Sequence, residues 1–279
     1  MKCAWKELLS ILPFWLREEV DKYGSDKMQE IRMRKGQKAI LVMKDKRVEV
    51  FHEVGYDDLL WVINMASRYS PWTVATVAQG FITALGGHRI GICGEAMIQD
   101  GKIKGIDKVT SLNIRVAKDY IGICGNLWLR ERNLLILGPP GSGKTTLLRD
   151  LVRHRSKNET VSVLDERGEI FPPMANFPMG CNTDVLTGCD KKRGIDILLR
   201  TMAPDCIAVD EITAEQDTEA LMHAGGCGVS LLATAHAYSV RDLQTRTIYS
   251  SLIKSGLFRT AVILKRDQSW SIERIPLCT

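Results

Sequence analysis

The sequence has no C-x-x-C pair among its eight cysteines (Cys3, Cys93, Cys124, Cys181, Cys189, Cys206, Cys227 and Cys278), no low-complexity segment, and only 6% aromatic residues. Cysteines so scattered argue against a zinc site and against a disulfide framework, and a reducing cytoplasm is the compartment they fit. Cys206, beside Ile207, serves as a small hydrophobe. No apolar run approaches the roughly 18 to 20 residues needed to cross a bilayer, so a soluble chain is expected. Residues 5–16 are apolar but interrupted by Lys6, Glu7 and Pro13, and no small-residue cleavage site follows. That stretch is expected to be a packing helix and not a signal peptide. With few aromatics and no dense basic stripe, no nucleic-acid partner is expected. The net charge of +5, from 38 basic and 33 acidic residues, is a slight excess compatible with phosphate binding or an acidic partner.

What is present is an ordinary globular composition, 45% hydrophobic and 25% charged over 279 residues, enough for one large or two modest domains. From Asn133 onward, apolar runs at Leu134–Leu137, 160–164, 206–210, 229–233, Thr260–Leu264 and 269–274 alternate with helical spacing at 145–155, 194–202, 215–224 and 240–255. Strands separated by crossover helices predict a mainly parallel α/β sheet covered on both faces. Earlier, two helical stretches flank an extended piece at 38–51 with a hairpin turn at 44–46, and residues 80–116 carry glycines between short apolar pieces. This predicts a smaller α+β domain over residues 1–120, followed by the second domain over 121–279.

Between the run at Leu134–Leu137 and an apolar helical stretch stand Gly138, Pro139, Pro140, Gly141, Ser142, Gly143, Lys144, Thr145 and Thr146, a match to the phosphate-loop pattern G-x-x-x-x-G-K-[ST]. Its glycines let backbone N–H groups turn onto phosphate oxygens at a helix N-terminus. Lys144 is then expected at the β- and γ-phosphates and Thr145 on magnesium. The Asn-Lys-x-Asp element of guanine-specific enzymes is absent, so ATP with Mg2+ is the expected pair.

Three further apolar runs end in polar residues. Cys206-Ile-Ala-Val-Asp210 presents Asp210 for the metal, and the adjacent Glu211 is placed to polarise an attacking water. Val161-Ser-Val-Leu-Asp165 leads into Glu166 and Glu169, candidates for positioning water or supporting the metal. The run 229–233 ends in Thr234-Ala-His236, where His236 can sense the γ-phosphate.

In this order the motifs resemble those of the type II and type IV secretion-superfamily ATPases. Within that group Glu30-Ile-Arg-Met-Arg34, Gly86-Gly-His-Arg-Ile-Gly91, Ser111-Leu-Asn-Ile-Arg115, Asp165-Glu-Arg-Gly-Glu-Ile170 and Met202-Ala-Pro-Asp205 are similar to the stage III sporulation protein AA family of endospore formers. The resemblance implies a RecA-like P-loop ATPase domain behind a smaller α+β domain, assembled as a homo-oligomeric ring, expected to be a hexamer. It also implies that Arg89 and Arg115 act on nucleotide in trans. The implied role is an ATP-hydrolysing motor energising a membrane-embedded secretion or channel complex during sporulation. Its implied place is cytoplasmic, at the inner face of that complex in the mother cell. A nucleic-acid-associated RecA-like ATPase and a nucleotide-gated scaffold are the other readings. Many secretion ATPases carry Gly-Glu at Walker B where this chain has Asp210-Glu211, the form of the sporulation proteins, and Thr213-Ala214 follow Ile212 where those proteins commonly show Gly and a basic residue.

Overall fold

A computed structural model describes residues 1–68, 80–125, 127, 131–172, 174–267 and 269–276, without the side chain of residue 102. Cys278 therefore lies outside the described residues. The chain divides into two units, Met1–Asp119 with Pro172–Asn176, and Tyr120–Phe171 with Phe177–Thr279.

The first unit begins with helices α1 (Trp5–Ile11) and α2 (Phe14–Asp21). They are two helices rather than one because Pro13 forces Leu12 out of the helical region, to ψ 150°. A short turn of helix, α3 (Gly24–Lys27), leads into strands β1 (Met28–Arg34), β2 (Lys38–Met43) and β3 (Arg47–Glu53), with residues 44–46 turning the chain between the last two. Helix α4 (Tyr56–Ser67) is followed by β4 (Phe81–Thr83), β5 (Arg89–Gln99) and β6 (Lys102–Arg115). Among the described residues the strands form an antiparallel sheet in the order β3-β2-β1-β6-β5-β4. Strand β1 was not foreseen. Its Met, Gln, Glu and Arg favour helix, but Ile31 and Met33 go inward while Glu30, Arg32 and Arg34 stay at least partly outside. The core joins Leu8, Leu12 and Leu16 to Ile31, Leu41, Leu59, Ile90 and Ile114.

Gly86 and Gly87 in this unit have φ of +82° and +78°, and a Cβ on Gly86 would lie 2.3 Å from that of Ala4. Only glycine fits there. The next residue, His88, is fully buried, donates from Nε2 to the Ala4 carbonyl at 2.9 Å, and accepts at Nδ1 from the Ala117 N–H at 3.1 Å. Burial lowers its pKa, with the Ala4 bond opposing.

The second unit carries β7 (Leu134–Leu137), α5 (Lys144–Arg155), β8 (Val161–Asp165), β9 (Thr183–Thr187), α6 (Lys191–Thr201), β10 (Cys206–Ile212), α7 (Glu215–Gly226), β11 (Ser230–Ala235), α8 (Val240–Thr245), α9 (Ser250–Lys254), β12 (Thr260–Leu264) and β13 (Trp270–Arg274). The sheet runs β13-β12-β7-β11-β10-β8-β9, all parallel except β13 at one edge. Two differences from expectation stand out. Residues 240–255 are not one helix, because Arg246 is extended at ψ 117° and the buried Tyr249 hydroxyl donates to the Ile212 carbonyl, fixing the break. Strand β9 was missed because an edge strand buried on neither face shows no apolar run.

Candidate nucleotide site

Every strand from β7 to β12 points its C-terminal end the same way, so the loops after β7, β8, β10 and β11 share one edge of the sheet. Ligands of open α/β sheets bind at that edge. The loop after β7 closes through the Ser142 N–H on the Pro139 carbonyl at 3.2 Å. Gly141 and Gly143 stand at φ +75° and +96°, and a Cβ on Gly138 would come within 2.5 Å of Ser142 Oγ and 2.9 Å of the Leu264 carbonyl. These residues leave a backbone cradle at the start of α5. Within it the buried Ser142 Oγ has no hydrogen-bond partner among the described residues.

Lys144 is folded over this cradle. Its ammonium donates to the Gly138 and Pro139 carbonyls at 3.0 and 3.1 Å and to His236 Nδ1 at 3.0 Å. Burial lowers its pKa, opposed by the charges of Asp210 and Glu211. Because an ammonium only donates, His236 Nδ1 must accept, which leaves the imidazole hydrogen on Nε2 to donate to Glu211 Oε1 at 3.1 Å. Glu211 Oε2 receives Arg167 Nη1 at 3.0 Å. A polar chain thus runs Lys144, His236, Glu211, Arg167.

Asp210 and Glu211 diverge for a backbone reason. Val209 is opposite Ala233 but Ile212 is opposite Ala235, so β10 carries one residue more than β11 between these pairs. This is a bulge, and Glu211 sits in it at φ +51°, a conformation costly for a side chain other than glycine. Thr234 holds it there: its Oγ1 accepts the Glu211 N–H at 2.8 Å and donates to Asp210 Oδ1. The other Asp210 oxygen takes the Thr145 hydroxyl at 2.6 Å. The paired oxygens of Thr145 and Asp210 beside the phosphate cradle are the hard ligands magnesium prefers, so the residues fit a nucleotide with its metal.

The acids after β8 separate into different tasks. Asp165, buried, accepts three backbone N–H groups, from Glu169, Ile170 and Phe171 at 2.8, 3.0 and 2.8 Å. Burial raises its pKa against those bonds, with Asp210 adding to the rise. It shapes the loop. Glu166 pairs with the buried Lys191 at 2.8 Å. Glu169 lines a pocket with Asp165, Glu166, Arg167, Lys191, Asp210 and Glu211, and Arg149 on α5 donates to its carbonyl at 3.0 Å. Thr234, Arg167 and Lys191 are the residues that motif reading left without a role. A threonine inside the buried run Leu231-Leu-Ala-Thr-Ala was the available signal for the first. Arg89 and Arg115 belong to the first unit, where they are cross-strand partners, Arg89 lying 3.9 Å over the Phe81 ring.

Comparison with known proteins matches residues 5–273 to the family model described as "Sporulation stage III, protein AA". Stage III sporulation protein AA of Bacillus subtilis (strain 168) is 32% identical over a 281-residue alignment, covering 93% of this chain and 91% of that protein. Among solved structures, the Legionella pneumophila ATPase DotB has a TM-score of 0.62 at 16% identity, over 94% of this chain and 79% of its own. The pilus retraction motor PilT, solved with bound ADP, has a TM-score of 0.63 at 14% identity, over 90% and 78%. At such identity the two structures establish the fold: an antiparallel N-terminal unit followed by a P-loop ATPase fold.

Proposed function

The chain belongs to the sporulation stage III protein AA family, and on that premise we propose that it is an ATP-hydrolysing motor. The carrying observation is the chain from Lys144 through His236 to Glu211, which joins the phosphate cradle to a carboxylate held at a bulge.

ATP entering the cradle supplies oxygens to the backbone N–H groups and draws Lys144 off the Gly138 and Pro139 carbonyls. Thr145 and Asp210 would hold magnesium, which offsets negative charge on the β- and γ-phosphates when bound. His236 Nδ1 then loses the ammonium as its donor, so filling of the γ-phosphate position is felt at Glu211 through one imidazole. Glu211 accepts a proton from the water it orients for in-line attack. Arg167 donates to Glu211 Oε2 at 3.0 Å and must release it if that oxygen is to take the proton.

Family membership supports the larger setting: a homo-oligomeric ring, a hexamer, with Arg89 or Arg115 of a neighbouring copy reaching nucleotide. The ring would energise a membrane-embedded sporulation channel or secretion complex from the mother-cell cytoplasm. No helix among the described residues is long and apolar enough to cross a membrane.

The test is Glu211→Gln in the assembled protein. ATP turnover is expected to fall on the order of a hundredfold to ten-thousandfold with nucleotide affinity unchanged, the range for loss of a positioned base. Undiminished turnover removes Glu211 from this role.

A further inference from the structure

Away from the nucleotide site, the second unit brings together three side chains whose spacing in sequence gave no hint of it. Cys124 lies in the segment before β7, and Asp150 and His154 are one turn apart on the C-terminal half of α5. Cys124 and Asp150 are fully buried, and the His154 side chain is 20% exposed. Cys124 Sγ is 3.2 Å from His154 Nδ1, Nδ1 is 4.0 Å from Asp150 Oδ2, and one ligand atom from each of the three lies within 4.8 Å of the others.

We propose that Cys124, Asp150 and His154 form a structural site for a single Zn2+-class divalent cation, with one coordination position left to water. Tetrahedral zinc holds neighbouring S, N and O ligands about 3.3 to 3.5 Å apart, given its usual bond lengths. The sulfur-to-imidazole edge is already there, and the imidazole-to-carboxylate edge has to close by about 0.7 Å. A mixed thiolate, imidazole and carboxylate set suits Zn2+ rather than Mg2+ or Ca2+. The carboxylate is also oriented as a ligand is: Gly122 and Cys124 N–H groups donate to Oδ1 and Oδ2, each at 2.9 Å, and Arg153 Nη1 is 3.4 Å from Oδ1. Two backbone bonds fix the carboxylate and leave lone pairs free. The partly exposed edge of His154 gives entry and a place for water.

His154 Nδ1 faces the Asp150 carbonyl at 3.0 Å and carries its hydrogen there. Burial, with Asp150 adding to it, pushes the Cys124 thiol up to about 12, while the Lys157 charge opposes. Binding replaces the thiol proton with a sulfur–metal bond and sends that proton to solvent. The imidazole moves its own proton to Nε2 without net change. The bound ion would clamp residues 122–124 to the far end of the helix that starts at Lys144, independently of nucleotide chemistry.

Co2+ titrated into the full chain under non-chelating reductant is the probe. One equivalent should produce a thiolate-to-cobalt charge-transfer band with tetrahedral visible bands, release one proton, and be displaced by Zn2+. Cys124→Ser should abolish the charge-transfer band, and His154→Ala should weaken binding more than about a hundredfold, beyond the loss of a group that merely orients a ligand. Cys93→Ser, at an exposed cysteine, should change nothing. Absence of the band in the unaltered chain, or its survival in Cys124→Ser, overturns the proposal and leaves a hydrogen-bonded anchor of the 122–124 segment.

Discussion

The two sheets solve burial in opposite ways. In the second unit β7, β8, β11 and β12 are buried at every position. In the first unit β1 and β2 alternate, burying Ile31 and Met33, or Ala39, Leu41 and Met43, between residues left at least partly exposed. Parallel strands covered on both faces have little solvent side for polar residues, and the polar groups of the nucleotide site, Asp165, Asp210 and Thr234, stand toward the C-terminal ends of their strands. An antiparallel sheet spreads its charges along one face, as with Glu30, Arg32, Arg89 and Arg115. The difference teaches where to look for chemistry. A polar side chain at the C-terminal edge of the parallel sheet is an anomaly with a task, whereas one in the antiparallel sheet is ordinary.

The largest expected effects come from the two cores. Leu41→Ala and Leu231→Ala should each cost about 2 to 5 kcal/mol in denaturant unfolding. Saturating nucleotide, which adds about 2.7 kcal/mol at a hundred times its dissociation constant, should restore Leu231→Ala and not Leu41→Ala when each unit is followed by its own probe. Equal rescue of both erases the energetic distinction between the units. Thr234→Val comes next, since it leaves Asp210 Oδ1 and the Glu211 N–H without their shared partner. It should cost about 1 to 3 kcal/mol and free the bulge, lowering turnover more than nucleotide affinity. A matching effect from an exposed threonine of the antiparallel sheet, such as Thr110, would break the contrast.

The smallest effect belongs to His88. Its folded pKa lies below the ordinary 6.5, so the unfolded chain takes up the proton first as pH falls. Stability is therefore fully present above about pH 6.5 and declines below it until the folded pKa is passed, by at most about 1.4 kcal/mol per pH unit. His88→Gln should remove that slope from thermal melts between pH 7 and the acid side, and an unchanged slope assigns it to other groups.

The α/β alternation, the phosphate loop and Asp210-Glu211 were legible because each depends on neighbours in the chain: an apolar run, a glycine turn, a strand end. The Gly86-Gly-His88 signature was also legible, but its cause was not, since it lies in Ala4 and Ala117, distant in sequence. The acids after β8 looked alike in sequence and became different in space, Asp165 turned onto three backbone N–H groups and Glu166 onto Lys191. Strand β1 was hidden because residues with helical propensity follow a period-two burial pattern once the sheet is formed.

What the sequence by itself determined is everything that acts through local backbone geometry: glycines where φ is positive, apolar runs where both faces are covered, a lysine at the start of a helix. Only the tertiary structure decided which polar atoms meet. Thr234 reaches Glu211 through strand pairing, Lys144 reaches Glu211 through His236, and Cys124 reaches His154 through the return of one segment onto a helix. Burial removes water as the alternative partner, so these polar contacts are set by the whole fold and cannot be read from spacing along the chain.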